Sequence, residues 1–206
     1  MALQTQALIT PARLEKALTY DEYRQLVDEL LAQNRATGDF MNNSEDILHY
    51  SKMNVQRMSR WDKTLQLAED TIEALHQVKT PMTWLVLTEG WCGDAAQNIP
   101  VLVKMAELNP LIEIKFLLRD ENLDIMDAYL SNGGRGIPKM IVLQSETLEV
   151  LAQWGPRPEG AQALVNAHKQ NPESDYKTFV EKLHKWYAQD KTAQIQAEVR
   201  ALLQSF

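Results

Sequence analysis

The run Met82–Thr88, MTWLVLT, is apolar at nearly every position and rich in β-formers, and a helical pattern follows it from about Asp94 to Leu108. A strand without a polar face must be covered on both sides. The helical stretch ends at Asn109-Pro110, and IEIKFLL (112–118) reads as a second strand. A helix crossing between two strands makes them parallel. After a helical stretch at 122–131 and a break at Gly133, Gly134 and Gly136, KMIVL (139–143) and LEVLAQW (148–154) are joined by a short turn, so they pair antiparallel. These elements predict an α/β fold with a central four-stranded mixed sheet flanked by helices.

Both flanks of that sheet read as helical. Thr10-Pro11 opens a short helix with proline at its first position, and Thr19 with Glu22 resembles a capping box ahead of the stripe Tyr23, Leu26, Val27, Leu30 and Leu31. Gly38 and the asparagines around it predict a loop over 34–44. Met58, Trp61, Leu65, Ala68, Ile72 and Leu75 alternate at three and four, which predicts one long helix with a single apolar side. Residues 1–79 are thus expected to be a helical N-terminal extension packed on the core. The core would occupy 80–206, with extra C-terminal helices carrying Tyr176, Phe179, Val180, Leu183 and Trp186, then Ile195, Val199 and Leu202.

Charge and composition exclude several classes of function. A net charge of −7 argues against a nucleic-acid binder that works through spread basic charge. No apolar stretch is long enough to cross a bilayer, and residues 1–16 lack the charged and apolar regions of a secretory signal. The single cysteine, Cys92, excludes an internal disulfide and suits a reducing compartment, so a cytoplasmic location is expected. The four histidines are scattered without metal-ligand spacing, and NGGRG lacks the context of a dinucleotide or phosphate fingerprint. No metal or cofactor is expected.

Cys92 stands between the first strand and the crossover helix, near unpaired backbone N–H groups and the positive end of the helix dipole. Both favour thiolate. A small buried hydrophobe is the competing reading. Asp94, one turn into the helix, opposes activation: at an expected 6–8 Å and an effective dielectric near 20 it costs the thiolate about 2 kcal/mol. The helix terminus returns ~0.3–1 kcal/mol. A cation could neutralise the aspartate, and Arg135 and Arg157 lie on loops expected to border the same sheet end. Solvated loop charges are the alternative for both arginines, and a capping carboxylate bonded to backbone N–H groups is the alternative for Asp94.

Trp91-Cys92-Gly93 resembles the first half of the thioredoxin active site, Trp-Cys-Gly-Pro-Cys. Pro100 falls where that family has its helix proline, and Arg135-Gly136-Ile137-Pro138 before an apolar strand is similar to its cis-proline loop. RDEN (119–122) adds to the likeness, which covers about residues 80–170. The resemblance implies a thioredoxin-like fold. It further implies that Gly136, Ile137 and Pro138, together with the Trp154-Gly155-Pro156 turn, flank the cysteine and hold an extended partner, with Trp91 as an exposed apolar platform. The departures are as informative. Asp94 replaces the family's proline, Ala95 replaces its resolving cysteine, and Val86 and Leu87 stand where its buried acid belongs.

Without a resolving thiol, a mixed disulfide at Cys92 needs an outside thiol for release. The expected function is monothiol thiol–disulfide exchange or redox sensing at Cys92. Asp94 would modulate the thiol, and Trp91, Gly93, Arg135, Gly136, Ile137, Pro138, Gly155 and Arg157 would frame a protein or a low-molecular-weight thiol or disulfide. A non-catalytic interaction module on the same scaffold is the alternative, and peroxide chemistry through a sulfenic acid is a third route. Nucleic acid and membrane are not expected partners, and a homodimer stays open.

Overall fold

A computed structural model describes residues 8–38, 43–171 and 173–205. Residues 39–42 of the loop expected at 34–44, and the first seven residues of the segment read for a signal, lie outside the described residues. Four strands, β1 (Met82–Thr88), β2 (Ile112–Leu118), β3 (Lys139–Gln144) and β4 (Val150–Trp154), form one sheet in the order β2-β1-β3-β4. β1 and β2 are parallel and the other two pairs antiparallel. The helices are α1 (Pro11–Lys16), α2 (Tyr20–Ala32), α3 (Glu45–Thr64), α4 (Glu69–Gln77), α5 (Gly93–Ala106), α6 (Leu123–Ala128), α7 (Glu159–Gln170), α8 (Tyr176–Asp190) and α9 (Ala193–Leu203). Among the described residues no helix is long and apolar enough to cross a membrane.

Strand alternation divides the core. Met82, Trp84 and Val86 of β1 enter one cluster with Tyr23, Met58, Leu75, α5 and α9, while Leu85 and Leu87 enter another with Ile125, Met126, Ile137 and Ile141. Cys92 and Trp91 lie where the sheet ends, and Cys92 packs against both clusters.

The N-terminal helices join the first cluster through specific contacts. The Thr19–Glu22 capping box forms, with Glu22 Oε2 accepting the Thr19 N–H at 2.7 Å. Leu18 exchanges backbone hydrogen bonds with Phe116 on the outer edge of β2, both at 2.8 Å, and the Tyr23 ring stacks on Phe116 at 5.6 Å.

Local expectations fail at three places. The long helix is two, broken between Leu65 and Ala68. Its periodicity is real, but tertiary partners satisfy the broken backbone: Lys104 Nζ donates to Leu65 O (2.7 Å), and Gln196 accepts from Ala68 N (2.8 Å). β4 begins at Val150 rather than 148, because Leu148 turns at φ 57° and a register shift follows in β3. The helix at 122–131 stops at Ala128.

Candidate active site

The carboxyl end of β1, the amino end of β3 and the amino end of α5 converge on Cys92. Cys92 is the N-cap of α5, and its carbonyl accepts the Ala96 N–H at 3.1 Å. The thiol donates to the carbonyl oxygen of Ile137 at 3.2 Å. The Ile137–Pro138 and Gly155–Pro156 peptides are both cis, and the two loops touch. A Cβ on Gly136 would meet Pro156, and one on Gly155, at φ 112°, would collide with the Pro138 carbonyl oxygen. Gly136, Ile137, Pro138 and Gly155 therefore form one double-loop wall beside the sulfur.

Asp94 is held by side chains. Its Oδ2 accepts from Arg157 Nε (2.8 Å) and Nη2 (2.6 Å), and its Oδ1 accepts from Tyr187 O–H at 2.6 Å. Asn98 donates to both the Tyr187 hydroxyl and the Asp94 carbonyl. The carboxylate is thus not the backbone cap considered above. Arg157 supplies the cation and Arg135 does not: Asp127 takes Arg135 through two hydrogen bonds at 2.6 and 2.8 Å, and both side chains are half exposed. Trp91 is half-buried rather than exposed, with the Arg119 guanidinium 4.9 Å from its ring centroid and its Nε1 buried without a hydrogen-bond partner. Gly93 faces Arg57, whose Nη1 would lie 3.5 Å from a Cβ placed there. Trp154 is buried and donates to Glu198 at 2.7 Å.

Burial pushes the Cys92 thiol up to about 12, and the charge of Asp94 adds to that rise. The Ala95 and Asp94 N–H groups and Arg157 pull the other way without prevailing. Cys92 is half-buried and lines a cleft of about 390 Å³ walled by α3, α5 and α8, with Arg57, Gln97, Phe179 and His184 among its other residues.

The sequence reading missed several site residues. Tyr187 sits four residues beyond Leu183 on the inner side of α8, next to Trp186, which the stripe had included; the i+4 spacing could have found it. Arg57 and His184 meet across distant helices, with Nη2 3.1 Å from the ring Nε2. Glu89, directly after β1, is wholly buried. Its carboxyl accepts the Asp120 N–H at 2.9 Å and lies against Thr37. Burial raises it from 4.5 to about 7. A carboxyl raised on folding stabilises below its unfolded value, and that stability is lost as pH climbs through the folded one. Relative to wild type, Glu89→Gln should therefore gain on the order of 1–2 kcal/mol between pH 5 and 8. Parallel urea titrations at the two pH values check this.

A family model described as thioredoxin matches residues 40–177. Two solved structures are similar over nearly their whole length. A protein of unknown function from Pseudomonas aeruginosa is 18% identical with a TM-score of 0.53, covering 91% of this chain and 98% of its own. An HIV epitope-scaffold is 19% identical with a TM-score of 0.53, covering 92% and 99% respectively. At such identities the likeness speaks for the fold alone. No curated protein matches the chain.

Proposed function

The chain belongs to the thioredoxin family, and from that premise we propose that it is a monothiol member in which Cys92 exchanges with a small disulfide admitted by the cleft. The observation that carries this reading is the placement of half-buried Cys92 in the lining of the cleft, with its Sγ on the Ile137–Pro138 loop, while Ala95 occupies the resolving position. Deprotonated Cys92 attacks one sulfur of the disulfide, the new S–S bond forms as the old one breaks, and the departing thiolate takes a proton from solvent. With no second cysteine in the chain, an external thiol completes the exchange.

The raised thiol sets the tempo. At about 12, roughly one chain in 10⁵ carries the thiolate at pH 7, so attack is slow. Cys92 is for the same reason a poor leaving group, so the adduct is released slowly too. Slow formation and slow release suit a thiolation sensor better than a turnover reductase. The alternative, a non-catalytic interaction module, is favoured by the same protonated sulfur and its hydrogen bond to Ile137.

Intact mass after incubation with a small disulfide separates the two. The exchange reading expects one adduct per wild-type chain and none on Cys92→Ser. It also expects formation to be about a hundredfold faster at pH 9.5 than at 7.5, and reduction of a protein disulfide to be absent. A wild-type chain that stays unmodified at both pH values supports the module.

A further inference from the structure

Arg57 is the unexplained charge of the cleft. Its guanidinium is half-buried, it forms no ion pair among the described residues, and Asn54 Oδ1 is its one acceptor on α3, at 3.0 Å. The group it faces from α8 is the His184 imidazole rather than a carboxylate. Burial, with the Arg57 charge adding to it, holds that imidazole below its ordinary value, so it is neutral and accepts from the guanidinium. Asp94, the acid of the same cleft, is already taken by Arg157 and Tyr187. Arg57, Arg157 and Asp94 leave the cleft one positive charge in excess. A partly buried charge without a counter-ion is costly, and the fold keeps this one beside Phe179, Val180, Leu183 and Trp91.

We propose that the cleft between α3 and α8 binds a small apolar monocarboxylate, its head on Arg57 and its body against the α8 side chains, within reach of Cys92. A monoanion matches the single excess charge, whereas a dianion meets Asp94 as well. Two of the walls, α3 and α8, lie outside the sheet and its crossover, which gives those helices a recognition role. That such a ligand would also be a disulfide rests on the exchange reading. The charge and the apolar walls carry the rest.

The test titrates the full chain with 4-phenylbutyrate and with its neutral amide, followed by backbone NMR shifts. Neither probe contains sulfur, so the outcome is independent of exchange. The carboxylate should bind about tenfold more tightly than the amide, with shifts centred on residues 91–94 and on α8. Added salt should weaken the acid alone. Arg57→Gln should bring the acid to the level of the amide, and Cys92→Ser should bind it as wild type does. Equal binding of acid and amide, no binding of either, or shifts mapping elsewhere would overturn the proposal. The wild-type acid–amide comparison decides even if Arg57→Gln does not fold. Should the acid bind while Cys92 never forms an adduct, the exchange reading falls and the cleft assignment stands.

Discussion

Asp94→Asn is expected to destabilise the protein by about 3 kcal/mol and, at the same time, to make Cys92 more reactive. The ion pair it breaks is largely buried, with the side chains of Arg157 and Asp94 17% and 10% exposed. Removing one partner strands the other charge, which is the costly way to lose a buried pair. The substitution also weakens the anchor of Tyr187, whose hydroxyl burial and the Asp94 charge hold well above the ordinary tyrosine value. The sulfur meanwhile loses the charge that, after burial, does most to raise its pKa, and Arg157 is left unopposed beside it. An acidification of about one unit gives a tenfold gain in thiolate at neutral pH. Urea unfolding and the rate of iodoacetamide alkylation measure the two effects. A stability loss without faster alkylation would mean that Asp94 only ties α8 to the site.

Phe116→Ala carries the largest expected cost, about 4 kcal/mol. The ring is fully buried on β2, stacked on Tyr23 at 5.6 Å and tilted against Tyr20 at 5.9 Å. Its backbone also pairs with Leu18, so the side chain sits where the N-terminal helices meet the sheet. We propose that residues before 80 fold with the sheet as one cooperative unit. On that basis the variant should shift a single unfolding transition seen equally by tryptophan fluorescence and far-ultraviolet circular dichroism. Two separated transitions would make the helices an independent body.

The sheet was legible because its strands announce themselves. Met82–Thr88 is buried at every position, as a polar-free run requires, and Ile112–Leu118 matches its predicted limits. The break at Leu65 was hidden, since the apolar spacing continues through it while Lys104 and Gln196 supply the interrupting bonds from far along the chain. The site was half legible. Trp-Cys-Gly located the sulfur, and the estimate that Asp94 offsets the helix terminus has the same sign as the raised thiol. Which arginine answers Asp94 was not readable, because both lie on loops near one sheet end and only the fold gives Arg135 to Asp127. Glu89 resembles any solvated acid after a strand until the Thr37 segment and the Asp120 backbone close over it.

Everything proposed for tempo and persistence depends on the protonation of one sulfur. The direct measurement is the alkylation rate of wild-type Cys92 by iodoacetamide across pH 6–10.5, with Cys92→Ser as the blank. A rate that climbs through the whole range without levelling agrees with a thiol pushed up to about 12. A plateau reached below the ordinary cysteine value of about 8.5 would contradict the account and make Cys92 an activated nucleophile.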